Sequence, residues 1–225
     1  QVRDLVRAVH AAIGATHLTG LHLHNTRGLG LANVMAGLLT PQTGHITING
    51  TVTVAAESDA DFIIRWNDAT DTASSFQAGD VLLTSCESDA TLWIYGNNDY
   101  AYEGDNTITL GNVTLDAGSD AVVQVGNSDN SGYENDDVTD VIGDITATAG
   151  TWYTSDADAA VYVMNNSDSD ITIGNINLAA YGDYSSQAVV RIDDNTGSRA
   201  EVHTGSIVAV AKGDAAEAEF HMDDN

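Results

Sequence analysis

A glycine followed by a short alternating strand recurs six times along the chain, and this repeat constrains the fold more than any other feature. The intervals between successive glycines are 29, 32, 32, 31 and 31 residues. The six glycines are Gly50, Gly79, Gly111, Gly143, Gly174 and Gly205. A near-constant period in this range is typical of a solenoid, in which each repeat buries its apolar face only against its neighbours.

Each repeat contains two further apolar segments that favour strands. A short one precedes the glycine, as at 45–48 and 107–110. A longer one comes after the strand that follows the glycine, as at 121–125 and 159–163. The glycine allows the backbone to bend between strands. Because parallel crossovers are almost always right-handed, the pattern predicts an all-β fold: a right-handed parallel β-helix of six turns over residues 44–225, with three strands in each turn.

Alternation within the longer strand predicts three columns of inward side chains. The predicted columns are Phe62, Thr91, Ala121, Ala159, Ala188 and Ala218; Ile64, Trp93, Val123, Val161, Val190 and Phe220; and Trp66, Tyr95, Val125, Val163, Ile192 and Met222. The residues between them, such as Gln124, Tyr162 and Arg191, are polar or amphipathic and are predicted to face outward. Ile94 is an exception, because it is apolar at a predicted outward position.

The longer strand ends in an Asn/Asp-rich corner in every copy, as at 165–168 and 193–195. Asn and Asp tolerate left-handed backbone and hydrogen-bond within their own turn, so we expect stacked side chains that form a ladder along the solenoid axis. The alternative is calcium, because carboxylate and amide oxygens suit a hard cation. The candidate calcium ligands are Asp156, Asp158, Asp168 and Asp170. No cofactor is expected to be required.

The repeats are strongly acidic. The chain has 33 acidic and 7 basic residues and a formal net charge of −26, and residues 44–225 hold 32 of the acidic and four of the basic residues. This sign excludes nucleic acid and anionic membranes as partners of the repeats. A surface of this charge repels itself at low salt, and Lys212 is the single lysine. We therefore expect a secreted or cell-surface protein of a prokaryote from a saline environment.

Cys86 is the single cysteine, so no disulfide can form within the chain. It follows the strand predicted at 81–84, and we expect its thiol to be buried or shielded. No apolar run is long enough to span a bilayer, so membrane insertion is not expected.

Residues 1–43 do not follow the repeat. Apolar residues at helical spacing predict helices at 3–13 and 29–39, with an alternating strand at 18–24 between them. We expect this helix–strand–helix segment to be a fused fragment or a cap. A cap would cover the open strand edge at one end of the solenoid, where other chains could otherwise pair.

Part of this segment carries a family resemblance. His22-Leu-His24, followed by Asn25, Arg27 and Gly28, resembles the late-strand metal motif of hydroxymethylglutaryl-CoA lyase and related DRE-type TIM-barrel metallolyases. The resemblance implies that His22 and His24 bind a divalent metal. The family's Asp-Arg-Glu strand and its loop with the catalytic cysteine are absent, and two strands cannot close a barrel of eight. Lyase activity is therefore not expected.

The repeats themselves resemble the β-helical passenger and stalk regions of bacterial adhesins, autotransporters and haemagglutinin-like exoproteins. This resemblance implies a non-catalytic structural or adhesive module. An uncovered strand edge after the sixth repeat would also allow self-association end to end, into a fibre or a surface layer.

The alternative is a carbohydrate-binding or carbohydrate-active β-helix, such as a polysaccharide lyase or hydrolase. Catalysis would need paired carboxylates on one face, and carboxylates are so abundant here that pairs arise by chance. The candidate glycan-binding residues are the outward aromatics Tyr100, Tyr102, Tyr133, Trp152, Tyr153, Tyr181 and Tyr184. Ice binding would need a regular face of threonines, and the column that holds Thr53 and Thr114 is interrupted by Leu82 and Asn177.

Overall fold

The computed structural model describes residues 16–18, 21–24, 32–38, 45–48, 50–67, 74–95, 106–126, 138–151, 154–166, 169–196 and 200–223. The regular elements of these residues are 21 β-strands in three parallel sheets of seven strands each. The chain visits the three sheets in turn, so each strand pairs with the strands one repeat before and after it. This confirms the all-β parallel solenoid with three strands in each turn, while its handedness stays a prediction.

Each sheet takes every third strand of the chain. The first sheet contains β1 (Thr16–Leu18), β4 (His45–Ile48), β7 (Ser74–Ala78), β10 (Asn106–Leu110), β13 (Val138–Ile142), β16 (Ser169–Ile173) and β19 (Glu201–Thr204). The second contains β2 (Leu21–His24), β5 (Val52–Ala56), β8 (Val81–Ser85), β11 (Val113–Ala117), β14 (Ile145–Ala149), β17 (Ile176–Tyr181) and β20 (Ile207–Lys212). The third contains β3 (Ala32–Leu38), β6 (Ala60–Asn67), β9 (Ala90–Tyr95), β12 (Ala121–Gly126), β15 (Asp156–Met164), β18 (Ser185–Asp193) and β21 (Ala215–Asp223).

The helix predicted at 29–39 is wrong where the structure describes it, because Ala32–Leu38 is a strand that pairs with β6. A short apolar run fits a strand as well as a helix, and here the open edge of β6 provides backbone partners. The strand predicted at 18–24 is confirmed in part as β1 and β2, which pair with β4 and β5. Strands β1–β3 therefore cover the edge of the first repeat by extending each sheet. The helix predicted at 3–13 lies outside the described residues.

The core is a stack of aliphatic columns inside the three sheets. In the third sheet, the inward columns of β12, β15 and β18 are confirmed: Val123, Val161 and Val190 pair in register and are fully buried. Parallel stacking places like residues on top of one another, so each buried side chain packs against a neighbour of similar size. Alanine occupies the first of the three columns in these strands, as at Ala121, Ala159 and Ala188, which are fully buried.

The predicted columns are wrong in β9 and shifted in β6. Leu92 and Ile94 are fully buried, whereas Trp93, predicted to face inward, is 42% exposed. Because the side-chain period of a strand is two, an error of one residue exchanges the two faces. The register pairs Leu92 with Phe62 and with Val123, which moves Phe62 into the second column. Columns of Val, Leu and Ile leave no room for an indole, so the tryptophan takes the outer face.

The glycines of the repeat are required by close packing along the axis. A Cβ on Gly111 would lie 2.6 Å from Asp80 Oδ1 and 2.8 Å from the carbonyl carbon of Gly79. At this corner, the side chains of Asp80, Asn112, Asp144 and Asn175 form a ladder along the axis. The Asn112 N–H donates to Asp80 Oδ1 at 2.9 Å, and the Asp144 N–H donates to Asn112 Oδ1 at 3.0 Å. The corner between the first and second sheets is thereby bonded from one repeat to the next.

The Asn ladder predicted at the corner after the longer strand is present in the later repeats. Asn166 and Asn195 are buried, and the Asn166 side-chain amide donates to Asn195 Oδ1 at 2.6 Å. The Asn195 amide in turn donates to the Val163 carbonyl at 3.2 Å. Asn165 and Asp194 adopt positive φ angles of 58° and 53°, which are the left-handed conformations expected of Asn and Asp at such corners.

Among the described residues, the structure contains no helix with the length and hydropathy that crossing a membrane would require.

Candidate functional site

The outer face of the third sheet carries a row of aromatic and amide side chains at one register position. Trp93 on β9 pairs with Gln124 on β12, which pairs with Tyr162 on β15. We call these three residues the aromatic column. Neighbouring strands lie about 4.8 Å apart, so the Cα atoms of Trp93 and Tyr162 are separated by about 10 Å along the axis. The same register position continues into Arg191 and His221.

Trp93 is exposed, whereas most of the large apolar side chains among the described residues are buried. Its ring packs against Tyr95, two residues along the same strand, with the ring centroids 6.1 Å apart and an interplanar angle of 77°. Edge-to-face pairs of this kind contribute about 0.5–1.5 kcal/mol beyond their buried area. The half-buried Tyr95 therefore limits the positions that the indole can take while leaving much of it in contact with solvent.

Tyr162 is half-buried at the other end of the aromatic column. Burial raises the pKa of its phenol above the ordinary value, and the negative charge of Asp158 adds to this, while the positive charge of Arg191 acts in the opposite direction. A raised pKa keeps the phenol protonated through neutral and mildly alkaline pH. Tyr162 can therefore donate a hydrogen bond as well as offer its ring.

In the strand after Tyr162, the same register position is occupied by the charged residue Arg191. Arg191 forms an ion pair with Asp193, and its Nε lies 2.9 Å from Asp193 Oδ2. The hydrogen bond from Arg191 lowers the pKa of the Asp193 carboxyl below its usual value. In the next strand, His221 Nε2 lies 3.8 Å from Asp223 Oδ2. The positive charge of Arg191 is thus balanced by the Asp193 carboxylate on the same strand.

A row of carboxylates runs beside the aromatic column, at the position just before the buried alanines. Asp59, Asp89, Asp120 and Asp158 occupy it in four successive repeats, and we call these residues the acidic row. The Asp120 N–H donates to Asp89 Oδ1 at 3.3 Å, and the Asp158 N–H donates to Asp120 Oδ1 at 3.1 Å. The carboxylates of Asp89, Asp120 and Asp158 therefore each accept a hydrogen bond from the backbone of the next repeat.

The carboxylates of this region repel one another. Burial, followed by the negative charge of Asp59, raises the pKa of Asp61 to about 6, although a hydrogen bond with the Thr91 side chain partly offsets this. Burial also raises the pKa values of Asp89 and Asp158, and the charge of Asp120 adds to both. Protonation of these groups becomes easier than in the unfolded chain, which links stability to pH.

The predicted calcium ligands are not brought together as one group. Asp156 and Asp158 lie on β15 in the third sheet, whereas Asp170 lies on β16 in the first sheet, and Asp168 is outside the described residues. Within the described ranges, no group of three or more His, Cys, Asp or Glu side chains could hold a metal ion. Calcium binding stays a prediction.

The two predicted lyase-type metal ligands lie on β2. His22 pairs in register with Thr53 and His24 with Ala55, and their side chains are outside the described part of the structure. Cys86 was expected to be shielded, and this is wrong because its residue is exposed. It directly follows β8 in a turn, where its N–H donates to the Ala56 carbonyl at 3.2 Å.

The structure describes two of the predicted glycan-binding aromatics. Tyr184 is 71% exposed in the turn before β18, and Tyr181 is half-buried at the end of β17, with the Lys212 Nζ 5.3 Å from its ring centroid. Neither residue belongs to the aromatic column. Tyr100, Tyr102, Tyr133, Trp152 and Tyr153 lie outside the described residues.

Sequence reasoning missed the exposed aromatics Trp93 and Tyr95 because it placed them in the core. The available signal was Ile94, the apolar residue left at a predicted outward position. Shifting the strand by one residue puts Leu92 and Ile94 inside and leaves Thr91, Trp93 and Tyr95 outside, as the structure has them.

Comparisons of the chain with protein-family models, with curated proteins and with solved structures found no match. The resemblance to β-helical repeat regions is therefore supported by the parallel solenoid fold alone, and the resemblance of residues 1–40 to the lyase has no support from homologues.

Proposed function

We propose that this chain is a non-catalytic extracellular scaffold or adhesion module whose solenoids associate end to end. The fold is compatible with a structural or adhesive repeat scaffold, since its core and its ladders run continuously along one axis. Secretion or display at a cell surface in a saline habitat is part of the proposal. It is supported by the net charge of −26, because dissolved salt screens the repulsion between such surfaces.

The proposed end-to-end association is supported by two apolar side chains of β21. Phe220 and Met222 pair in register with Val190 and Ile192, so they occupy core columns, yet they are 52% and 57% exposed. A strand stacked on β21 would bury both side chains and would extend the third sheet. We propose that β1–β3 of a second copy supply these strands, which would generate a heterologous contact that repeats into a filament.

Electron microscopy and analytical ultracentrifugation of the purified chain, in high and low salt, test this proposal. We expect filaments or a concentration-dependent series of oligomers in high salt, because screening weakens the repulsion between acidic solenoids. Replacing both Phe220 and Met222 with lysine should abolish association. The matched control is Leu82→Lys, which changes an exposed apolar residue on the side of the solenoid.

Discrete monomers of the parent chain at every salt and protein concentration would contradict the proposed assembly. The same measurements in the presence of calcium and of a chelator test the predicted calcium binding. Filaments that dissociate only in chelator would favour calcium at the Asn/Asp corners, whereas identical filaments in both solutions would contradict a calcium requirement for assembly.

A further inference from the structure

The aromatic column combines ring faces with hydrogen-bonding groups, which is the combination that a sugar ligand requires. It presents an exposed indole and a phenol on one line, with an amide side chain between them. Exposed aromatic rings offer apolar faces on which the C–H faces of sugar rings can stack. The amide of Gln124 and the phenol of Tyr162 can both donate and accept hydrogen bonds, as hydroxyl-rich ligands require.

We propose that the aromatic column binds an extended, neutral β-1,4-linked glycan that lies along the solenoid axis. The inference rests on the adhesive part of the proposed function and names the ligand class of that surface. Strands β9, β12 and β15 position the three residues, and the rigid backbone ladders between these strands fix their spacing.

The spacing of the backbone positions of Trp93 and Tyr162 matches the repeat of such a glycan. In an extended β-1,4 chain each sugar advances by close to one strand spacing, and alternate sugars present the same face to the same side. Trp93 and Tyr162 are two strands apart, or about 10 Å, so sugars one and three can stack on them with equivalent faces. The sugar between them then lies over Gln124, whose amide can bond its hydroxyl groups.

The charges around the column favour a neutral ligand over an anionic one. Asp158 is close enough to Tyr162 to raise the pKa of its phenol, and Asp61 lies on the same face near Thr91. Arg191, which follows Tyr162 at the same register position, is paired with Asp193. A uronic acid polymer would therefore meet the carboxylates of Asp61 and Asp158, whereas neutral hydroxyls can donate to them.

Isothermal titration calorimetry with cellohexaose, chitohexaose and mannohexaose tests the inference. We expect binding to at least one of these neutral hexasaccharides, with an affinity that rises from the disaccharide to the trisaccharide because three sugars are needed to reach both rings. The assembly-deficient variant with lysine at both Phe220 and Met222 should bind equally well. Failure of filament formation and failure of glycan binding are thereby distinguished.

Trp93→Ala and Tyr162→Ala should each weaken binding by about tenfold or more, since a lost stacking contact of about 1.4 kcal/mol corresponds to tenfold. Both variants should also remove the gain from disaccharide to trisaccharide. Leu82→Ala is the matched control, because Leu82 is an exposed apolar residue on the second sheet, outside the aromatic column, and its affinity should equal that of the parent. Unchanged thermal unfolding of Trp93→Ala would show that the loss is local.

Three results would overturn the inference. The first is the absence of binding to all three hexasaccharides at millimolar concentration. The second is equal binding by the parent and by a variant with alanine at both Trp93 and Tyr162. The third is binding that is confined to polygalacturonate or to a lysine-rich peptide, which would assign the face to a charged ligand.

Discussion

Asp144 Oδ1 accepts two hydrogen bonds from Asn175, which lies one repeat further along the solenoid: one from its backbone N–H at 2.7 Å and one from its side-chain amide at 3.1 Å. The same kind of hydrogen bond joins the next two repeats, where Asn175 Oδ1 accepts from the Ser206 N–H at 3.0 Å. Asp144 and Asn175, which each follow a repeat glycine, therefore bond the next repeat. This corner holds successive turns together without relying on the apolar core.

Replacing Asp144 with alanine should lower the free energy of unfolding by about 1–2 kcal/mol, because two inter-repeat hydrogen bonds are lost. Asp144→Asn retains an acceptor oxygen and should remain close to the parent. Urea denaturation measures both. The matched control is Asp116→Ala, an exposed position on β11, where a change within about 0.5 kcal/mol is expected. Equal effects of Asp144→Ala and Asp116→Ala would mean that the ladder does not stabilise the fold.

Replacing Gly111 with alanine should destabilise the solenoid by about 1–3 kcal/mol, as overpacking does in a close-packed interior. The added Cβ would lie within 2.9 Å of three atoms of Gly79 and Asp80, two of them in the backbone. At Gly126 the nearest atom is the Met164 carbonyl oxygen, at 3.0 Å, so Gly126→Ala should cost less. Thermal unfolding of the two variants checks the order, and the reverse order would contradict it.

Replacing Val123 with aspartate should unfold the chain or leave it barely stable, because an unpaired charge would be buried in the central column. Val122 is only half-buried on the outer side of the same strand, so Val122→Asp should retain the fold. Circular dichroism spectra and melting curves of the two variants measure the difference. If both melted like the parent, the inward register of β12 would be incorrect.

Stability should increase as the pH falls from neutral towards about 4. The pKa of Asp61 is raised from 3.8 to about 6 in the folded protein, so its folded carboxyl binds protons more tightly than the unfolded one. Its contribution is fully present below the unfolded pKa and is lost as the pH rises through about 6. The raised pKa values of Asp89 and Asp158 act in the same direction.

Asp61→Asn tests this assignment, since it removes the charge and nearly keeps the shape. We expect the variant to melt at a higher temperature than the parent at neutral pH and to show a weaker dependence on pH between about 4 and 7. Asp116→Asn serves as a control, because it also removes one negative charge but from an exposed carboxylate. An Asp61→Asn variant with the same pH dependence as the parent would contradict the assignment.

The period of about 31 residues and the alternation within each copy were sufficient to predict the parallel solenoid and its three strands per turn. The register of β12, β15 and β18 was predictable because their inward positions hold only small or aliphatic residues, as at Val123 and Val161. Strand β13 gave a weaker signal, since Asp140 lies fully buried at an inward position, in register with Ile108 and Ile171.

Only the tertiary structure decided which face of β9 is buried, because alternation permits two registers that differ by one residue. Stacking on Phe62 and Val123 selects Leu92 for the core, and this leaves Trp93 outside. The same cause applies to Ala32–Leu38, whose apolar run fits a helix or a strand until the edge of β6 supplies its hydrogen-bond partners. Local sequence determines what repeats, whereas contacts between repeats determine which side of each strand faces the core.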